Sequence, residues 1–386
     1  MFSSRVPGDL PSNAITRALE SIRLRDVRVI DLTETNPTRV GLPYPDDLLN
    51  GLADPGGRTY SPEPLGLASA REAVASSVKV PVDPSRVVLT TSTSEAYAVL
   101  FKLLCDAGDE VLVPQPSYPL FEMLTGLEAV SAVPYRLEYH SRWAIDRESV
   151  QRALTDRTRA VLVVTPNNPT GSMLRAADRD WLAELCAKRG MAIISDEVFA
   201  DYPLRPAPDA SSFCGETRAL TFALGGLSKS AGLPQVKLGW LIVNGPPPLV
   251  SQAIDRLELI CDTYLSVSTG AQIAARSLIE SGSAIRAAIL SRVQANLAAL
   301  TRMVADDSVV SLLLPEGGWS AVLRVPATEP EEALVLRLLN SAHVLVHPGY
   351  FFDFHAEAFL VVSLLPETTI FEEGMRRVLN CVEGRS

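Results

Sequence analysis

The sequence predicts an α/β fold: a large domain with a mostly parallel mixed sheet flanked by helices, joined to a smaller α+β domain. Three observations carry that expectation. Short β-branched runs alternate with helical patterns from residue 86 to residue 243, as parallel sheets covered on both faces require. Past residue 280 the rhythm changes to one long helical stretch and a mixed set of short strands. The length of 386 residues exceeds what one small core organises, and a hydrophobic content of 47% without a long charge run describes a chain that is globular throughout.

In order, residues 11–25 read as a helix with an arginine-rich face, followed by a short strand in VRVIDL and the loop TETNPTRVGLPYP, stiffened by proline and glycine. The turn-rich segment RTYSPEPLGLASAREAV leads into a helix. Strands are expected over 86–90, 110–114, 130–134, 159–165, 191–195, 219–224 and 237–243, with helices between most of them. After the long helix of 283–304 come strands over 309–314 and 319–325, a helix over 331–342, strands near Val344 and Leu360, and a terminal helix. The resulting division is 46–279 for the large domain and 1–45 together with 280–386 for the small one.

A net charge of −10 argues against nucleic acid or an anionic membrane as partner and favours a small-molecule substrate. Cys105, Cys186, Cys214, Cys261 and Cys381 are odd in number, scattered and free of any Cys-x-x-Cys pair, which fits reduced thiols and neither a disulfide framework nor a metal site. No signal segment and no bilayer-length apolar run is evident, so a cytoplasmic location is expected.

The chemistry gathers around GGLSKSAGLPQVKLGWL, residues 225–241. Lys229 follows the buried run ALTFAL, at the carboxyl end of a strand, where open α/β sheets bind ligands. A lysine among apolar neighbours loses its proton readily and becomes a nucleophile for an aldehyde cofactor. The chain has only five lysines against thirty arginines, and two of the five, Lys229 and Lys237, fall in this segment. Five further features lie at strand ends. Ser92, Thr93 and Ser94 in TTSTSEAY offer hydroxyls and free N–H groups at a helix start, an anion site for a phosphate or simply an N-cap. Tyr118 in PQPSYPLFE can stack on a flat heteroaromatic ring or pack in the core. Asn168 in TPNNPTG can donate to a phenolate-like oxygen, although NNPTG is also good turn chemistry. Asp196 in SDEVFADY suits a protonated pyridine nitrogen or caps a helix. Lys237 can neutralise a phosphate or stand as a strand-edge cation.

Together and in order, NNPTG, SDE and SK-x-x-G-L-P with a cation eight residues past the lysine resemble the class I/II aminotransferase family of fold-type I pyridoxal-phosphate enzymes, over nearly the whole chain. The resemblance implies pyridoxal 5'-phosphate as cofactor, with Lys229 as its Schiff-base lysine and proton-transfer group. It implies Asp196 on the pyridine nitrogen, Asn168 on the ring oxygen, Tyr118 stacked on the ring, and Ser92, Thr93, Ser94, Ser228 and Lys237 around the phosphate. Tyr60 resembles the tyrosine that reaches the phosphate of the neighbouring subunit, with one extra residue before its glycine, and so implies a homodimer with shared active sites.

Three departures bear on function. Phe199 stands where the family usually has a tyrosine donating to the ring oxygen, and Gly226 stands where it often has a hydroxyl. Near the C-terminus the family reads aromatic-Leu-Arg-hydrophobic-Ser, with the arginine clamping the substrate α-carboxylate through paired hydrogen bonds. This chain reads FLVVS over 359–363, with Val361 at the arginine position and no arginine between residues 338 and 375. Either Arg39 in NPTRVG takes the task, or the substrate is held differently.

The activity the resemblance implies is that of an aminotransferase on an amino acid or related amine. The same scaffold supports a lyase, by C–S β-elimination, decarboxylation or cyclisation. A non-catalytic cofactor-binding regulatory module is a third reading; it expects an attached basic winged-helix segment, for which a first helix starting near residue 11 leaves no room.

Overall fold

The computed structural model describes residues 1–8, 12–304 and 308–384. Its main sheet has eight strands in the order Val87–Thr90, Gly239–Asn244, Thr221–Gly226, Ala192–Asp196, Thr158–Val164, Glu110–Gln115, Ser131–Tyr139 and Trp143–Ile145. Six run in one direction; Gly239–Asn244 and Trp143–Ile145 run against them. The central strands are apolar on both faces because both faces are covered. Ala160, Leu162, Ile194, Phe222 and Leu224 pack on one side with the helices Thr93–Leu104 and Pro247–Tyr264. On the other side, Val161, Val163 and Ile193 meet the helix Ala176–Arg189, and Ala223, Trp240 and Ile242 join the cluster that includes the helix Ala68–Ser77. This alternation along each strand follows from the two-residue side-chain period.

A smaller antiparallel sheet orders Ser311–Leu313, Ser320–Arg324, Phe359–Ser363 and His347–Pro348. Ile30–Asp31 pairs in parallel with Val344–Leu345, tying the N-terminal segment to the C-terminal part of the chain. The helix Ala275–Met303 runs for 29 residues between the two sheets' supporting layers. Its Gly282 lies so close to the lysine turn that an added Cβ would sit 2.4 Å from the Cβ of Ala231, and further along Asn296 Nδ2 donates to the carbonyls of Leu364 and Pro366 at 2.8 Å each.

Several boundaries differ from the sequence expectation. The first helix forms as Ala14–Arg23, with Asn13 Oδ1 accepting from the Thr16 N–H as its N-cap, and residue 11 lies outside the described residues. The strand expected over 237–243 starts at Gly239, because Lys237 adopts a left-handed conformation at φ +58° after a 3-10 turn. The helix over 331–342 is α-helical only to Arg337 and finishes as a π-turn, Leu338–Ala342. Ser131–Tyr139 extends past the expected end at 134 and folds back on the three-residue edge strand Trp143–Ile145.

Candidate active site

Parallel strands end on the same edge of a sheet, so the strands ending at Gln115, Val164, Asp196 and Gly226 deliver the Tyr118, Asn168, Asp196 and Lys229 segments to one rim. Lys229 lies in the single-turn helix Leu227–Ser230 rather than in an open turn. Its Nζ sits 4.7 Å from the centroid of the Trp319 ring and 5.4 Å from that of Phe199, and the Tyr202 hydroxyl donates to its backbone carbonyl. Burial among these groups pushes the amine down to about 8, while the nearby Asp196 carboxylate pulls the other way.

Asp196 is buried, and its oxygens accept from the Tyr97 hydroxyl at 2.6 Å and the Val198 N–H at 3.2 Å. No described residue forms an ion pair with it at salt-bridge distance. Burial raises its carboxyl above the ordinary range; those two hydrogen bonds and Lys229 oppose the shift. Tyr118 is 39% exposed, stands edge-on to Phe121, and feels the charge of Asp196. Asn168 accepts from the Ser320 hydroxyl at 3.2 Å, next to Trp319. The Asn168 turn is braced by Asn167, which donates to Ser117 at 3.0 Å, and by the Glu316 and Gly317 N–H groups, which both donate to the Gly171 carbonyl.

The phosphate side is built from backbone. Ser92 caps the twelve-residue helix Thr93–Leu104, its Oγ accepting from the Glu95 N–H at 3.2 Å, so Thr93 and Ser94 occupy the first turn where N–H groups are free for an anion. An added Cβ on Gly239 would meet Ser92 Cα at 3.2 Å, and one on Gly226 would meet Gly239 Cα at the same distance. Gly226 therefore reflects crowding of backbone on backbone. Ser228 is partly buried one residue before Lys229, whereas Lys237 is exposed.

Two expected residues are not brought to this group. Tyr60 is 76% exposed and lines a groove with Glu95 and Tyr264. Arg39 ends the 3-10 turn Pro37–Arg39, exposed and without an ion pair among the described residues. Its loop is nonetheless strung across the rim: Arg292 donates to Val40 and Leu365 carbonyls, and the Tyr44 hydroxyl donates to the Gly232 carbonyl at 2.6 Å. Val361 is 2% exposed, paired with Val322 and His347, and packed in an apolar cluster with Phe352 and Phe354.

Sequence reasoning passed over Tyr97, Tyr202 and Trp319. Tyr97 lies four residues past Thr93 on the same helical face, a spacing that would have pointed it toward the same rim. Trp319 follows a Gly-Gly pair at the start of a strand, with no local pattern to mark it.

A buried carboxylate without a cation, a helix start with free N–H groups and a desolvated lysine are the donor set that an aldehyde-bearing pyridine phosphate requires, so the residues present fit pyridoxal 5'-phosphate. The fold and this rim define a fold-type I pyridoxal-phosphate enzyme. Residues 29–376 match the family model "Aminotransferase class I and II", and the chain belongs to that family. It is 29% identical over 371 residues to an alanine aminotransferase of Mycobacterium tuberculosis, covering 92% of this chain and 85% of the other. It is 32% identical over 290 residues to capreomycidine synthase of Streptomyces vinaceus, covering 75% and 72%. The structure of an alanine aminotransferase from Pyrococcus furiosus superposes with a TM-score of 0.89 at 24% identity, covering all of both chains. The protein is a pyridoxal-phosphate-dependent aminotransferase. Among the described residues no helix is long and apolar enough to cross a membrane.

Proposed function

We propose that this aminotransferase passes the amino group of an amino acid to its cofactor, with Lys229 as the Schiff-base lysine and proton-transfer group, and the observation that carries the assignment is the amine held near pKa 8 between Trp319 and Phe199, within reach of the Asp196 charge. When bound, the cofactor supplies an electron-withdrawing ring that accepts the electrons of the substrate Cα–H bond. Lys229 Nζ would hold the cofactor and, once released from it, move the Cα proton. Asp196, which accepts from the Tyr97 hydroxyl, would keep the pyridine nitrogen protonated. Asn168 would donate to the ring oxygen, Tyr118 would stack on the ring, and the Ser92, Thr93, Ser94, Ser228 and Lys237 groups would hold the phosphate. Borohydride reduction of the yellow holoenzyme should leave the pyridoxyl label on the peptide containing Lys229; a label on another lysine would overturn the assignment.

The carboxylate of the substrate is assigned to Arg39, supported by its having no ion pair among the described residues and by the loop that ties its neighbours to Leu365 and Gly232. The relatives named for alanine support a small α-amino acid as donor. A second reading, cyclisation or elimination on an amino-acid substrate, is favoured by the buried Val361 and by the 32% identity to a synthase. Transamination converts the bound cofactor to its amine form, whereas elimination releases ammonia and a keto acid, so a spectrum and an ammonia assay separate the two.

A homodimer is supported by the exposed side chains of Tyr60, Leu259 and Tyr264, which leave apolar surface to cover. Tyr60 would then serve the partner's phosphate, and sedimentation at a dimer mass checks it. The division into 46–279 and 1–45 with 280–386 is supported by the separate sheets and the Ile30–Asp31 pairing. Five free cysteines support a reducing, cytoplasmic setting.

A further inference from the structure

Beneath the lysine rim, on the sheet face carrying Ala223, Trp240 and Ile242, lies a cavity of about 310 Å³. The helix Ala68–Ser77 ends at its edge, the loop of 210–214 forms another wall, and Ile279 and Arg286 of the long helix close a third. None of Lys229, Asp196, Asn168, Tyr118 or Ser92 lines it, although Gly226 and Ser230 do, so it backs the lysine turn without sharing the cofactor's side chains. Its volume is that of a small-molecule site, and its walls are mainly apolar, with Met173, Val198 and Ile242 among them.

Four lining side chains are charged, Lys79, Glu197, Asp201 and Arg286, and Asp201 and Arg286 pair with each other. Glu197 is in the wall, and its carboxylate accepts three hydrogen bonds: Ser195 Oγ at 2.9 Å and Phe213 N–H at 3.0 Å on Oε1, and Ser212 Oγ at 2.6 Å on Oε2. A carboxylate has about four acceptor positions, so one remains on Oε2. No described cation forms an ion pair with it; Arg286 is engaged with Asp201 at 3.5 Å, and Lys79 is exposed at the mouth. A charge buried without a counter-charge is costly, and burial indeed raises the Glu197 carboxyl above its ordinary range.

We infer that this cavity is a binding site for a small cationic amine with an apolar body, its ammonium on Glu197 Oε2 and its body against Met173 and Ile242. Glu197 adjoins Asp196 in sequence and interacts with it electrostatically, so an occupying cation bears on the carboxylate beneath the pyridine nitrogen. The site is independent of which amino acid the enzyme transaminates.

The test uses the holoenzyme and N,N-dimethylbenzylamine, a tertiary amine that is cationic at neutral pH and cannot condense with the cofactor aldehyde. Calorimetric titration should show saturable binding of one amine per chain. Benzyl alcohol, of similar shape without the charge, should bind about tenfold more weakly or worse. Glu197→Gln should weaken the amine by about tenfold or more. Ala210→Trp, an exposed wall position that leaves Glu197 intact, should abolish binding while the cofactor spectrum of the free enzyme stays as it was. Absence of saturable binding overturns the inference. So does unchanged affinity in Ala210→Trp, which would place the amine in the substrate site instead.

Discussion

The two halves of the active site are built from different material. On the cofactor side, strand ends and a helix start fix the central groups: Asp196 closes a buried strand, Ser92 caps a twelve-residue helix, and the Lys229 carbonyl accepts from a tyrosine hydroxyl. On the proposed substrate side, Arg39 belongs to an exposed 3-10 turn, and Val361, at the family's arginine position, is core of a small antiparallel sheet. The difference teaches that this scaffold separates the chemistry from the recognition. The first depends on sheet topology, which cannot be changed piecemeal, while the second depends on side chains that can.

The comparison can be broken most forcefully on the cofactor side. Asp196→Ala should slow turnover by about 10²-fold to 10³-fold, measured in single turnover with saturating cofactor, because the ring then lacks its fixed charge. Retention of half the rate would mean that the cofactor side is no more constrained than the other. Placing an arginine back at the family position, Val361→Arg, should destabilise the fold by about 3 to 5 kcal/mol, since the guanidinium would enter an apolar cluster without a partner. Thermal melting reads this, and a variant that gains amino-acid affinity with no loss of stability would show that the pocket has kept its clamp geometry.

Arg39→Ala should weaken amino-acid binding by about 1.5 to 3 kcal/mol, the worth of hydrogen bonds to a charged group, seen as a raised KM. An unchanged KM removes Arg39 from the substrate side. The rate of cofactor attachment should climb as pH rises through about 8, since only the neutral amine attacks and burial lowers the Lys229 pKa to about that value. A midpoint near the ordinary lysine range would show that the aromatic pair does not desolvate the amine. The smallest effect is expected for Phe199→Tyr. A new donor to the ring oxygen favours its ionised form, so the pH at which the bound cofactor's absorbance changes should fall, by about one unit or less. A rise would mean that the new hydroxyl donates elsewhere.

The cofactor half was largely legible in the sequence for the same reason that it is rigid. Apolar runs such as ALTFAL and MAIIS announce buried strands, and the residue after such a run must lie at the sheet edge. Tyr97 escaped because its role depends on a helix bringing it across to another strand's end. Trp319 and Tyr202 escaped because they act on Lys229 from segments distant in sequence, with no period to betray them. The edge strand Trp143–Ile145 was too short to show alternation. The left-handed backbone at Lys237 is a local geometry that a lysine does not advertise. Val361 was visible as a missing arginine; that it is also walled in by Phe352 and Phe354 became apparent only from the packing.

The long helix Ala275–Met303 gives the molecule a mechanical property. Gly282 rests on Ala231 beside the lysine, while Asn296, about 21 Å farther along the rod, carries the chain just past the Val361 strand on two hydrogen bonds. The rod is buried along its length, at Leu278, Gly282, Ile285, Ile289, Val293 and Leu300, so it acts as a strut shared by the lysine turn and the Val361 strand. The two halves of the site, different as their material is, stand on one support.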